Sequence, residues 1–506
     1  MKNIFIKKIA IVLAFMVATS CSDFLDQEVP GKFAEQDFYQ TDEDAEFAVT
    51  AIYDMVSAHY FGNWASLYVV KTMLSDDSNA GGSNDGDQKG YQDLDDFNID
   101  SQNDKINDVW KMLYYAIYRS NKVINKIPGE SDLQNRLIAE AKALRAMNYM
   151  ELVSLWGDVP LVLNDIAPSD YGNVPRTSVA EVYDQIETDL KEAISVLPEA
   201  NTYSLSDRFR FSKGAAQAFL GKAYLFQEEW AEAAAQFDAV ILSGNYDLEP
   251  SISAAFSEAG EFGIESLFEL SFTNGESYDW GNFPWGEKPE SNIHIQLMGP
   301  RADFYTMAPG DSLIGGWGFN VPKQKLYDAY IGAGDNTRRA QTIMSRAELE
   351  AAGGNWSVDN AWDFEGFWQR KYGTFQNHTG APVGELNYGT NIRVMRYADV
   401  LLMAAEAEFR NGNEAKAITY INQVRQRPGT NLPALTGVSG NDLFEAIVLE
   451  RQLELALEGH RFVDLVRWGK ASDELGALGF TAGKNEVLPI PINDVRSAGL
   501  QQNPGY

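Results

Sequence analysis

Among the residues able to do chemistry, the run Glu450-Arg451-x-x-Glu454-x-x-x-Glu458-Gly459-His460-Arg461-x-x-Asp464-Leu465-x-Arg467-Trp468 is the densest. Glu450, Glu454 and Glu458 recur every four residues, a spacing that places side chains on one helix face, where Arg451, Arg461 and Arg467 can pair with them. Acid–base catalysis and structural ion pairing are the competing uses of such a cluster. Arginine stays protonated and is a poor general base, so the spacing predicts a network that locks the last helices, with Arg461 paired to Glu454 or Glu458. Other chemical signatures are sparse. His59, His294, His378 and His460 are scattered, with no pair at helical metal-ligand spacing, and no HExxH, GxSxG, Walker A or GxGxxG-helix pattern occurs. Carboxylates are numerous enough to supply a glycosidase pair, but such a pair acts only when held about 5 to 9.5 Å apart. Spacing in the sequence does not specify that distance, so a surface glycoside hydrolase stands as a lesser alternative.

Cys21 is the only cysteine in 506 residues. It can form no intramolecular disulfide and has no second thiol for a metal site or redox pair. Lys2, Lys7 and Lys8 precede a continuous apolar run over residues 9–17, and Ala18, Thr19 and Ser20 lead into the cysteine. This pattern predicts a secretory signal over residues 1–20, because the run is shorter than the ~20 residues needed to span a bilayer. The position of Cys21 resembles the lipobox of bacterial lipoproteins, in which the sulfur carries lipid. Ser22, Asp23 and Asp26 resemble the acidic export signal of Bacteroidetes lipoproteins. A lipidated segment over 21–40, anchored to the outer membrane at the cell surface, is therefore expected; the bland alternative is a secreted protein with an incidental cysteine.

Removing residues 1–20 takes away three of the 41 basic residues and none of the 72 acidic ones, which leaves 38 against 72, or -34. Nucleic acid and anionic lipid both require a cationic footprint, so DNA and RNA are excluded as partners. The acidity is spread along the chain and reads as a solvated surface.

Apolar residues at three- and four-residue spacing predict helices over 42–58, 109–127, 133–155, 179–197, 213–226 and 230–242. Pro128-Gly129, Pro198 and Gly244-Asn245 supply stops. Leu220-Gly221-x-x-Tyr224 followed by Ala233, Phe237 and Val240 has tetratricopeptide spacing, and Ala405, Ala417, Ile421 and Val424 repeat that register. Such pairs cannot bury their apolar faces alone, so several should stack. The predicted class is mainly α: a tetratricopeptide-like helical repeat scaffold over 41–245 and 391–506, with a polar loop at 75–96. A large irregular, loop-rich insertion over 246–390 carries six of the eleven tryptophans, and that aromatic content argues against disorder.

Several long motifs then appear in order. They are Ala143-Leu144-Arg145-Ala146, Leu155-Trp156-Gly157-Asp158-Val159-Pro160, the segment beginning Asn391-Ile392-Arg393-Val394-Met395-Arg396-Tyr397-Ala398-Asp399, Ile421-Asn422-Gln423-Val424-Arg425, the Glu450 run, Leu488-Pro489-Ile490-Pro491 and Gln502-Asn503-Pro504-Gly505-Tyr506. Together they resemble the SusD/RagB family across essentially the whole mature chain. The resemblance implies a surface lipoprotein of Bacteroidetes that caps a SusC-like TonB-dependent barrel and delivers glycans to it without cleaving them. A peptide-capturing relative of the same fold is the second reading.

With a glycan as the implied ligand, exposed indoles become the candidate contacts, since an aromatic ring can cover the C–H face of a sugar while polar groups bond its rim. Trp280, Trp285 and Trp317 stand among turn formers, in Tyr278-Asp279-Trp280-Gly281-Asn282, Phe283-Pro284-Trp285-Gly286 and Gly315-Gly316-Trp317-Gly318. Tyr278 joins them. Packing of the insertion is the competing role for each. Trp110, Trp156, Trp230 and Trp468 are expected in the core, whereas Trp356, Trp362 and Trp368 are left open. Asp76, Asp77 and Asn79 lie in the polar loop, where the family places part of its glycan site; a solvated turn is the alternative. No cofactor is expected, although the Asp/Asn/Gly composition of that loop, including Asp85 and Asp87, would suit Ca2+ without the EF-hand spacing. A β-glucan such as laminarin is favoured by family analogy.

Overall fold

The computed structural model describes residues 38–58, 64–166, 168–284 and 289–506. Cys21, the signal segment and Trp285 lie outside the described residues.

The scaffold helices are α1 (Asp42–Ser57), α2 (Asp104–Lys126), α3 (Asp132–Trp156), α4 (Val179–Val196), α5 (Lys213–Phe226), α6 (Trp230–Leu242), α7 (Tyr397–Arg410), α8 (Glu414–Arg425) and α9 (Gly440–Glu454). Their ends follow local chemistry. Thr41 and Ser178 close capping boxes with Asp44 and Glu181, satisfying amides that have no intrahelical partner. Gly129 and Gly244 take the left-handed conformations that follow α2 and α6. Each helix packs on the next from α1 through α6, and α6 then packs directly on α7. The repeat stack is therefore continuous although residues 243–396 intervene. At the tetratricopeptide pair α5–α6, a Cβ on Gly221 would meet the Phe237 ring at 2.6 Å, so glycine allows the fully buried Phe237 to lie against the helix backbone. Ala405, Ala417, Ile421 and Val424 are fully buried in the second pair.

The chain leaves and rejoins the stack through an antiparallel ribbon, Ser266–Leu270 against Ile392–Arg396, with Ile392 opposite Leu270. Beyond this neck the insertion has its own small core around Tyr305, Leu313, Met344, Trp356 and Trp368. The polar segment 75–96 is not an open loop. It contains a strand, Ser78–Gly81, paired with Phe319–Pro322 of the insertion, and a helix, Lys89–Asp95. Gly81 permits this docking, since a Cβ there would stand 2.2 Å from the Gly318 carbonyl oxygen.

Buried charge holds the two parts together. Arg396, at the end of the neck strand, reaches Glu265 at 2.8 Å and Glu454 and Glu458 at 2.7 Å. From the insertion, Arg338 pairs with Glu450 and Glu454, and Lys371 with Glu458. Burial alone would raise the Glu454 carboxyl, but Arg427, Arg396 and Arg338 hold it well below the usual carboxylate range. The expected structural network is present with two corrections. Glu458 lies past the end of α9, so the three glutamates do not share one helix. Arg461 pairs with neither Glu454 nor Glu458; its fork bonds Asp76 at 2.8 and 2.9 Å, while Glu454 is already paired with Arg338, Arg396 and Arg427 and Glu458 with Lys371 and Arg396.

Candidate functional site

Three indoles come together from distant parts of the chain: Trp64, just after α1, and Trp280 and Trp317 of the insertion. The Trp280 and Trp317 rings are nearly parallel, 22° apart with centroids separated by 6.5 Å, and Trp64 meets Trp317 edge-on at 5.1 Å. Trp280 is 44% exposed, while Trp64 and Trp317 are half-buried.

Each ring is fixed by groups behind it. The Trp280 indole N–H donates to Glu385 Oε1 at 2.7 Å, which pins the ring edge and leaves a face open. Beneath lie Phe283, Ile293 and Leu386, an apolar floor against which Trp64, Tyr278, Trp317 and Val383 pack. The fully buried Asn387 accepts from the Tyr278 amide at 2.8 Å and donates to the Tyr278 carbonyl at 2.7 Å, clamping the turn that presents Trp280. Trp317 is set by close backbone approach. Its amide donates to the Gln296 carbonyl at 2.9 Å, and a Cβ on Gly316 would stand 2.6 Å from that same oxygen and from Gly299 Cα. The glycines around Trp317 therefore serve packing rather than mobility. Trp64 takes φ +59°, rare for a bulky residue, and its carbonyl accepts from the buried Tyr91 hydroxyl at 2.5 Å.

The remaining sequence candidates have other surroundings. Tyr278 is half-buried in the floor, edge-on to Phe283. Asp76 and Asp77 are each only 1% exposed, so neither carboxylate meets solvent as expected of a polar rim. Asp76 is bonded by Arg461 and by Lys325 at 2.6 Å; burial opposes its charge, yet these cations draw its carboxyl down to about 2. Asp77 accepts from Gln452 at 2.8 Å, and burial together with the Asp76 charge pushes it up to about 6. Both anchor the segment 75–96 to the C-terminal helices. The Asn79 amide donates to the Asp363 carbonyl at 3.0 Å and to Glu365 at 2.8 Å, tying the strand to the insertion. Asp85 bonds Lys89 and Asp87 bonds Ser83, and among the described residues no group of three His, Cys, Asp or Glu converges to hold a metal ion. Trp110, Trp156, Trp356 and Trp368 are buried; Trp230 and Trp468 are only half-buried, and Trp468 donates to Glu406.

Sequence reasoning missed Trp64, Glu385 and Asn387. Trp64 follows Gly62-Asn63, the same turn-forming context that singled out the other indoles. Glu385 and Asn387 carry no local signal.

Comparison with known proteins places this arrangement. The SusD family model matches residues 265–506, and a model described as starch-binding associating with outer membrane matches residues 23–225. A laminarin-binding SusD-like protein of known structure is 35% identical with a TM-score of 0.83, covering 92% of this chain and 100% of its own. Surface glycan-binding protein A from Bacteroides thetaiotaomicron, solved in complex with laminarihexaose, is 25% identical with a TM-score of 0.77, covering 91% of this chain and 99% of its own. A SusD-like protein of Formosa agariphila is 26% identical over 519 residues, which is 98% of each chain. With both halves matched and a solved structure 35% identical across 92% of it, this chain belongs to the SusD family.

Proposed function

We propose that this protein is a cell-surface lipoprotein that captures an oligo- or polysaccharide, a β-glucan such as laminarin, and passes it uncleaved to a SusC-like TonB-dependent barrel. The near-parallel Trp280 and Trp317 rings, flanked by Trp64, carry the reading. Rigid aromatic faces cover apolar sugar faces at little entropic cost, because their rotamers are already fixed by Glu385, Asn387 and the Gly299 approach. The names of the relatives support the ligand class: one binds laminarin and another was solved with laminarihexaose. Delivery to a barrel and anchoring through a lipid on Cys21 follow from family resemblance and from the signal pattern that precedes the cysteine.

Calorimetry against laminarin tests the proposal. Trp64→Ala, Trp280→Ala and Trp317→Ala should each weaken binding by roughly thirtyfold, the consequence of losing about 2 kcal/mol at an aromatic anchor. Salt should have little effect, because the ligand is neutral. Full affinity in the triple variant with native circular dichroism would show that these rings only pack, and new reducing ends on incubation with laminarin would make the protein an enzyme.

A further inference from the structure

We propose that Trp362 is an outlying sugar-stacking position that makes the protein prefer a glucan polymer to a short oligosaccharide. This inference rests on the glycan-binding reading of the three-indole cluster.

Trp280 and Trp362 are the exposed tryptophans among the described residues, at 44% and 41%. Nothing about the local fold forces Trp362 outward. Trp356 and Trp368, in the same segment, are buried in the insertion's own core at 3% and 1%. Trp362 is also built like Trp280. Its indole N–H donates to Gln92 Oε1 at 3.1 Å, and Gln92, 2% exposed, is itself held through donation to the carbonyls of Gly81 at 2.8 Å and Asp87 at 3.2 Å. The ring edge is pinned by a buried side chain and a face is left to solvent. The turn that presents it is held as well: Asp363 takes φ +48°, and its carbonyl accepts from Asn79 at 3.0 Å. Asn79, expected from sequence to touch ligand, becomes a positioning residue for this indole.

The connection to the cluster is short. Gly318, which follows Trp317, accepts at its carbonyl from the Gly82 amide at 2.7 Å, and Gly81 binds the Gln92 side chain that holds Trp362. The path runs through the turn at 82–87, whose first residue bonds Gly318 and whose last bonds the Gln92 side chain. Gly82 is buried beneath this turn, packed against the Phe319 ring, where a Cβ would stand 2.7 Å away. Ser83, Asn84 and Asp85 are exposed alongside and can bond sugar hydroxyls. A neutral glucan long enough to run from Trp317 past this turn would meet the Trp362 face; a trisaccharide seated on the cluster would not.

Calorimetry with laminaritriose and with laminarin separates the two. Trp362→Ala should weaken laminarin binding by about tenfold, as loss of one peripheral aromatic contact does, and leave laminaritriose binding unchanged. Trp362→Phe should restore most of the polymer affinity. Trp280→Ala should weaken both. Unchanged laminarin affinity in Trp362→Ala, or an equal loss toward both sugars, would overturn the role given to Trp362 while leaving the cluster intact as a site. A wild-type protein that binds neither sugar would overturn the reading of the cluster and this inference with it.

Discussion

Asp76→Ala offers the sharpest separation of ligand chemistry from scaffold chemistry, because sequence placed Asp76 in a binding loop and the structure places it in a buried ion pair. Its carboxyl is drawn from 3.8 to about 2 by Arg461 and Lys325 against the cost of burial. At about 1.4 kcal/mol per unit, that fall contributes on the order of 2 kcal/mol of stability at neutral pH. Truncation also strands Arg461, whose Nη1 already lacks a hydrogen-bond partner, and breaking a buried pair costs about 3–5 kcal/mol. An unfolding entropy of about 2.1 cal/mol/K per residue over roughly 500 residues gives ~1 kcal/mol/K, so the melting temperature should drop by about 3–5 °C. Laminarin affinity of the folded fraction should not change. Because the folded-state value is depressed, the stabilisation is complete above the unfolded value near 4 and is lost as pH falls toward 2. The gap between wild type and Asp76→Asn in calorimetric melts should therefore narrow over that interval. A wild-type melting curve with lost laminarin binding would refute the reasoning and return Asp76 to the site.

Gly316→Ala should shift Trp317, because the new methyl would stand 2.6 Å from the Gln296 carbonyl oxygen and Gly299 Cα; overpacking of this kind costs about 1–3 kcal/mol. We expect a lower melting temperature together with weakened laminarin binding in titration calorimetry, and full affinity would show that the indole does not depend on this approach. Asp77→Asn should stabilise the protein at neutral pH. The folded-state carboxyl is raised from 3.8 to about 6 by burial and the Asp76 charge, so its contribution is favourable below pH 4 and is lost as pH rises through 6, amounting to up to about 3 kcal/mol. Denaturant unfolding at pH 5 and pH 8 measures this, and an equal difference between wild type and variant at both values would sink it.

What the sequence determined by itself is whatever depends on neighbours a few residues apart. The six helices read from apolar spacing appear with ends within a few residues of expectation except at the start of α2, which begins at Asp104 rather than 109, because caps, stops and amphipathic faces are local. Gly221 and Phe237 revealed the tetratricopeptide pairing for the same reason. The site was legible only as a type of context, an indole beside glycine and asparagine, which pointed to Trp280 and Trp317 and should have pointed to Trp64. Whether such an indole faces solvent or core depends on partners far away in sequence: Trp356 and Trp362 sit in similar surroundings, yet the first packs against Trp368 while the second is turned out by Gln92, 270 residues away. Charge behaved likewise. The polar run from Asp76 reads as part of a glycan site or, alternatively, a solvated turn, whereas Arg461, 385 residues further on, holds it in a buried ion pair. Tertiary structure alone decided these assignments, because burial and ion pairing are properties of the packed surroundings, and nothing in the spacing of Asp76 or Trp362 records which distant side chain will close over it.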